Sequence, residues 1–341
     1  MFSSRIVILS AILFSSLLCS CRQEICYDHA GSVAVAISWE QEWERDYGKG
    51  LSDAWDAAVH GYGYDELRPA VASSVTMISY EADGTPTTHF LPAAGGVIVG
   101  SASGDLLLYN DDTECVVIND VASFPDVTAT TTGRSRSSLA PLHSGERTVN
   151  PPDVLYGAYI KDVPPGQSHS QQQIAAQLKP LVYSYVVNYT IEHGLEYVSL
   201  VRGALAGMAE SVRLRDGSTP AAAATLLFDC DIVAGGARSV VQSFGVPSFS
   251  GHHYAGISPS GAMTDPTLKF TLNLEVLTKN GTIQSFEFDV TDQLRRQPRG
   301  GVISVDGIYV VDDAGQVDAG FNVDVADWGE FEDVVLPPFE L

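Results

Sequence analysis

Residues 73–118 read SSVTMISYEADGTPTTHFLPAAGGVIVGSASGDLLLYNDDTECVVI, and this stretch decides the fold class. Five strand-like runs succeed one another within it: Ser73–Tyr80, Thr87–Leu91, Gly96–Val99, Asp105–Tyr109 and Cys115–Ile118. Each is short, rich in β-branched, aromatic or leucine residues, and bounded by Gly, Pro, Asn, Asp or Ser, the residues that suit turns. Asp83-Gly84, between the first two runs, is hairpin-turn chemistry. Short strands at this spacing, with no helical period between them, point to an antiparallel sandwich rather than a βαβ fold.

The pattern extends both ways. Upstream, Ser32–Trp39 (SVAVAISW) partly alternates and reads as a strand. Glu40–Leu67 is acidic and aromatic, with room for a short helix around Ser52–Val59 capped by Ser52. Downstream, residues 123–153 are rich in Pro, Ser, Thr and Gly and show no period, so a linker or long surface loop is expected there. Strands return at Leu178–Glu192, Tyr197–Ala206, Ala222–Ile232, Ser239–Phe244, Pro266–Thr278, Thr282–Val290, Gly301–Val311 and Phe321–Val325. In the first of these, Tyr183, Tyr185, Val187, Tyr189 and Ile191 share one face. Gly207–Leu214 fits a helical turn or a bent strand equally. Asn280-Gly281 is the strongest hairpin signal, and Asp289–Arg296 can form one helical turn. The expected architecture is all-β, with one domain over 21–150 and a second over 151–341.

The chain has 341 residues, 45% of them hydrophobic, which is enough for sizeable cores. Asp and Glu outnumber Lys and Arg 42 to 19, for a net charge of −23. That balance argues against a nucleic-acid partner, whose phosphates need clustered cations.

Residues 1–20 supply an address. Arg5 precedes an apolar run, Ile6–Leu18, interrupted only by serines and shorter than the ~20 residues of a membrane-spanning helix. Leu18-Cys19-Ser20-Cys21 resembles a bacterial lipobox. The expected chemistry is diacylglycerol transfer to the Cys21 thiol, cleavage between Ser20 and Cys21, and acylation of the new amino group. Several acyl chains give firm anchoring, so the expected location is a membrane surface. Cys26, Cys115 and Cys230 remain in the mature chain, and their pairing is not legible.

Little else carries chemistry. No GxSxG, HExxH, Walker A or GxGxxG string occurs, so neither catalysis nor a cofactor is expected. No metal site is expected either. His252 and His253 are adjacent, Cys26, Asp28 and His29 lack a second ligand pair, and Asp312, Asp313, Asp318, Asp324 and Asp327 do not match a calcium loop. Trp39, Trp43, Trp55, Tyr62 and Tyr64 crowd one stretch. Coplanar and exposed, they would stack on glycans; otherwise they pad a core.

The opening CRQEICYDHAGSVAVAISW (21–39), with LYNDDTE (108–114) and PDVLYG (152–157), resembles the DUF5119 type of Bacteroidales lipoprotein, akin to the FimB/Mfa2-like anchor subunits of type V pili. The resemblance implies two transthyretin-like Greek-key β-sandwich domains and a structural fimbrial role, anchor or accessory, with other fimbrial subunits as partners. It implies assembly by strand complementation, in which an extended segment of one subunit fills a groove in another. Polymerising subunits of that superfamily open the groove by losing their first strand after an arginine, and Arg45 is the candidate here. Anchors keep their first strand and lipid. Arg134 and Arg136 compete as general protease sites, and Val334–Phe339 reads as a donor segment or a last packed strand. A glycan-binding surface lipoprotein is the alternative reading.

Overall fold

The computed structural model describes residues 31–45, 51–81, 84–135, 145–166, 171–250 and 267–312. In chain order the first half supplies β1 (Ser32–Trp39), α1 (Ala57–His60), β2 (Ser74–Tyr80), β3 (Pro86–Pro92), β4 (Gly95–Val99), β5 (Gly104–Asn110), β6 (Val116–Asn119), β7 (Thr128–Thr131), β8 (Arg147–Val149), β9 (Tyr156–Val163) and β10 (Gln172–Pro180). The second half supplies β11 (Tyr183–His193), β12 (Val198–Ala209), β13 (Ser211–Arg213), β14 (Ala223–Val233), β15 (Gly236–Ser243), β16 (Thr271–Thr278), β17 (Ile283–Asp289), α2 (Thr291–Arg296) and β18 (Gly301–Tyr309). The protein is all-β, as the strand rhythm predicts.

One sheet has seven strands in the order β3-β2-β5-β9-β10-β1-β4. β3 and β4 are joined by Ala93 and Ala94 yet sit at opposite ends of that order, so the sheet must fold over on itself. Pro92, which cannot donate a ladder hydrogen bond, stands at this corner. The enclosed core holds Val33, Val35, Val75, Met77, Leu106, Leu108, Ile174 and Leu178. The larger sheet runs β17-β16-β12-β14-β15-β11-β18, with β8 parallel to β14. β14 makes the turn between its halves: residues up to Cys230 pair with β12, and Asp231–Val233 pair with β15. Tyr185, Val187, Tyr189 and Ile191 face its core, the face the alternation assigns.

A third, three-stranded sheet, β13-β7-β6, knits the two units together. Around it lies a core drawn from both: Ile78, Tyr80, Leu107 and Tyr109 from the back of the first sheet, and Ala209, Val212, Leu214 and Phe244 from the second unit. Successive strand residues face opposite ways. Met77 and Ile78 therefore belong to different cores, and β2 is buried on both sides.

The structure corrects several expectations. The sheet boundary does not fall at 150. β9 and β10 complete the first sheet, whereas β8, before 150, pairs with the second. Residues 123–153 are not merely a linker, because they contain β7 and β8. The run Leu178–Glu192 is two strands parted at Leu181-Val182, both buried where the units meet. Gly207–Leu214 is extended and not helical: β12 bends at Gly207 (φ +87°) and ends at Ala209, and β13 follows in the three-stranded sheet. Helix α1 is capped by Asp56, whose side chain accepts from the Ala58 N–H at 2.9 Å, and not by Ser52. Phe321–Val325 and Val334–Phe339 lie outside the described residues. No helix among the described residues is long and apolar enough to cross a membrane.

Candidate assembly site

β1 is the strand to which the first-strand expectation refers. Val33, Val35, Ile37 and Trp39 alternate inward, and the first two are almost wholly buried. On one side β1 pairs in parallel with β10, from Val33 opposite Gln172 to Trp39 opposite Leu178. On the other it pairs antiparallel with β4, from Ser32 opposite Val99 to Ala36 opposite Gly95. A Cβ at Gly95 (φ +89°) would lie 2.0 Å from the Val35 carbonyl oxygen, so only glycine lets β4 approach this closely. Lifting β1 out would expose two strand edges and a groove lined by Ile98, Ile174, Ala176 and Leu178.

The residues after β1 strap the two units together. The Glu40 N–H donates to Leu178 O (2.9 Å), the Ser184 N–H to Trp43 O (2.8 Å) and the Arg45 N–H to Arg299 O (3.0 Å). Gly300 (φ +83°) passes beneath the strap, where a Cβ would sit 2.8 Å from Trp43 O. Arg45 pairs with Glu40, which also faces Lys179 at 3.5 Å. Only 20% of the Arg45 side chain is exposed. A protease needs an accessible, extended segment. Cleavage after Arg45 therefore requires this strap to lift.

The aromatic stretch is a clasp on the same strap. Trp43 is 1% exposed. Its ring packs 5.3 Å from Trp55 at 75° and 5.2 Å from Tyr64 at 54°. The Trp55 indole donates to Tyr62 O, and the Tyr64 hydroxyl to Glu44 at 2.7 Å. Burial, with Glu44 behind it, pushes the Tyr64 phenol well above its ordinary pKa. Arg238 of β15 reaches back, donating to Val59 O and lying over the Tyr62 ring. Trp39 stands apart, edge-on to Tyr156, with its indole donating to Ala93 O. Trp43, Trp55 and Tyr64 are steeply inclined to one another and at least half-buried.

The two internal strings singled out in the sequence meet in space. The amide of buried Asn110 donates to Val154 O (3.0 Å) and Asp112 (2.9 Å), and its oxygen accepts the Tyr156 N–H (2.6 Å). Asp153 returns the link, accepting the Glu114 N–H at 2.7 Å and the Cys115 N–H at 2.5 Å. Asp111 accepts from Ser74 and Thr76, tying in β2. The strings thus lock the end of β5 to the start of β9. At Asp112, desolvation raises the carboxyl pKa, but hydrogen bonds from Ser73 and Asn110 outweigh it and hold the group below the usual carboxylate range. A depressed pKa stabilises the fold above the unfolded value near 4 and loses that contribution as pH falls through the folded value. Melting temperature measured from pH 5 to pH 2 should therefore fall less steeply in Asp112→Asn than in the wild type.

Ser20, Cys21, Cys26, Asp28, His29, Arg136, His252, His253, Asp313, Asp318, Asp324 and Asp327 lie outside the described residues. Arg134 bonds Leu227 O and Asp229. Among the described residues no three metal-ligating side chains converge. Sequence reading missed the strap as a unit. Its only trace was the density of aromatic and acidic residues in 40–67.

The family model described as "Domain of unknown function (DUF5119)" matches residues 65–229, a span that includes both internal strings. No curated protein matches. Among solved structures, a candidate adhesin from Bacteroides ovatus aligns at a TM-score of 0.55 and 19% identity, over 86% of this chain and 97% of its own. A candidate polysaccharide-binding protein (DUF1812) from Bacteroides thetaiotaomicron aligns at 0.45 and 9%, over 81% and 91%. The fimbrial anchor protein Mfa2 from Porphyromonas gingivalis aligns at 0.41 and 10%, over 81% and 90%. At a TM-score of 0.55 and 19% identity, the first of these alignments speaks to the fold alone.

Proposed function

Starting from the DUF5119 domain that this chain carries over residues 65–229, we propose that it is a structural fimbrial subunit of the outer membrane. In this reading Cys21 carries the lipid, and the protein is a pilus anchor or accessory subunit that joins other subunits by β-strand complementation. The observation that carries the reading is β1. It is intrinsic, paired along both edges and buried along one face, so the chain fills its own first-strand groove. The strap from Glu40 to Arg45 then guards the bond after Arg45. A first strand kept in the mature protein suits an anchor, and the fold shared with a candidate adhesin supports a surface role.

Limited digestion with an arginine-specific protease tests this. The wild type should resist cleavage after Arg45 while exposed arginines are cut. Glu40→Gln, which removes a partly buried ion pair, should be cut there roughly fivefold faster. Rapid wild-type cleavage, followed by end-to-end joining of the trimmed chains, would make this a polymerising shaft subunit instead.

A further inference from the structure

We propose that the end of the first unit where β1 begins rests on the bilayer surface, with Val97 and Val99 of β4 at the contact; this builds on the reading that Cys21 carries lipid. β1 starts beside the last residues of β4. The Gly100 N–H donates to Gly31 O at 2.6 Å, and Ser32 lies opposite Val99. Residues 22–30 are all that separates Cys21 from that corner. Even fully extended, the chain from Cys21 to Gly31 spans at most about 36 Å, so the lipid keeps this end within that distance of the membrane.

That end is built unlike the rest of the chain. Val99 is 91% exposed and Val97 61%, and the outer edge of β4 pairs with no strand among the described residues. Residues 100–104 and 163–166 carry no charged side chain, in a protein with 61 formally charged Asp, Glu, Lys and Arg residues. Gln172 knits the two segments together, donating to Ala102 O (3.0 Å) and Pro164 O (2.9 Å). Among the described residues, the charges that flank these segments in sequence are Asp105, Lys161 and Asp162: Lys161 pairs with Asp162 at 3.3 Å, and Asp105 accepts the Asp162 N–H. Segments without charge can approach headgroups without stripping water from ions, which a surface at the protein's average charge could not do against anionic lipid. Two valines alone would not hold a free protein on a membrane. On a short tether their effective concentration at the surface is high, and a weak preference suffices to set orientation.

Hydrogen–deuterium exchange on the acylated full chain in phosphatidylethanolamine–phosphatidylglycerol vesicles, against the unacylated Cys21→Ser chain in buffer, tests this. Amides of residues 96–101 should exchange at least about threefold more slowly on vesicles, and those of β17 equally in both. Val97→Asp/Val99→Asp, at exposed positions, should keep its fold and still float with vesicles but lose the slowing. If the acylated chain floats and residues 96–101 exchange as in buffer, the tip stands clear of the bilayer, and the contact falls while the lipid anchor survives. If slowing at 96–101 appears without vesicles, when another subunit is added, the edge is a protein-docking edge and the membrane contact is overturned. If the native chain carries no lipid, both fall together.

Discussion

Trp43→Ala should lower the stability of the protein by about 3–5 kcal/mol, read as a fall in melting temperature of roughly 10 °C. Trp43 is among the largest fully buried side chains. Removing it leaves a cavity where Trp55 now packs edge-on and Tyr64 at a tilt. The loss should spread along the strap, because Trp43 O accepts from Ser184 of β11 and Arg45 follows two residues later. Protease cutting after Arg45 should therefore quicken in the same variant. Trp43→Phe should cost much less. It keeps a ring in place, and the buried Trp43 indole N–H has no hydrogen-bond partner among the described residues to lose. Equal losses in the two variants would mean that the clasp does not depend on packing.

Asn110→Ala should cost about 2–4 kcal/mol by thermal or urea unfolding, far more than its small change in volume suggests. The Tyr156 N–H and the Val154 carbonyl would both lose their side-chain partner at the buried junction of β5 and β9. Asn110→Asp separates the two halves of the effect. A carboxylate still accepts the Tyr156 N–H, but it cannot donate to Val154 O and it faces Asp112. The Asp variant should therefore be destabilised too, and increasingly so as both carboxyls ionise above pH 4. Near-neutral results for both substitutions would mean that the two strings do not act as a lock.

Much of this fold was legible because strong β formers carry a binary pattern. β1, β2, β5, β12, β14 and β17 fall within two or three residues of where β-branched and aromatic runs put them, and Asn280-Gly281 makes its hairpin between β16 and β17. β10 escaped notice for a physical reason. Its sequence QQIAAQLKP uses weak β formers, and only Ile174, Ala176 and Leu178 alternate inward. Tertiary pairing with β1, and not local propensity, makes it a strand. β7 and β8 were hidden for a similar reason: four and three residues are too short to show a period, and neighbours from the second unit hold them in place. The crossings between sheets within 123–153 were not legible because a Ser/Thr/Pro-rich composition marks surface exposure, and chain that crosses between two sheets can carry the same composition.

The site was legible only in part. Arg45 followed from its place after the first strand, but its burial depends on Arg299 and Lys179, far away in sequence. The aromatic residues were visible, whereas whether they formed a platform or a clasp depended on ring planes that no spacing encodes. LYNDDTE and PDVLYG drew attention as strings, and only the structure gives the reason, since Asn110 and Asp153 hydrogen-bond across from one to the other.

The central claim is that the chain keeps its lipid and its first strand together. The intact mass of the mature protein, extracted from its native outer membrane, tests this most directly. The account predicts the mass of Cys21–Leu341 plus acyl chains. A mass beginning at Asp46 would mean that the lipid and β1 have both been removed, that the groove between β10 and β4 is open, and that the protein is a polymerising subunit and no anchor.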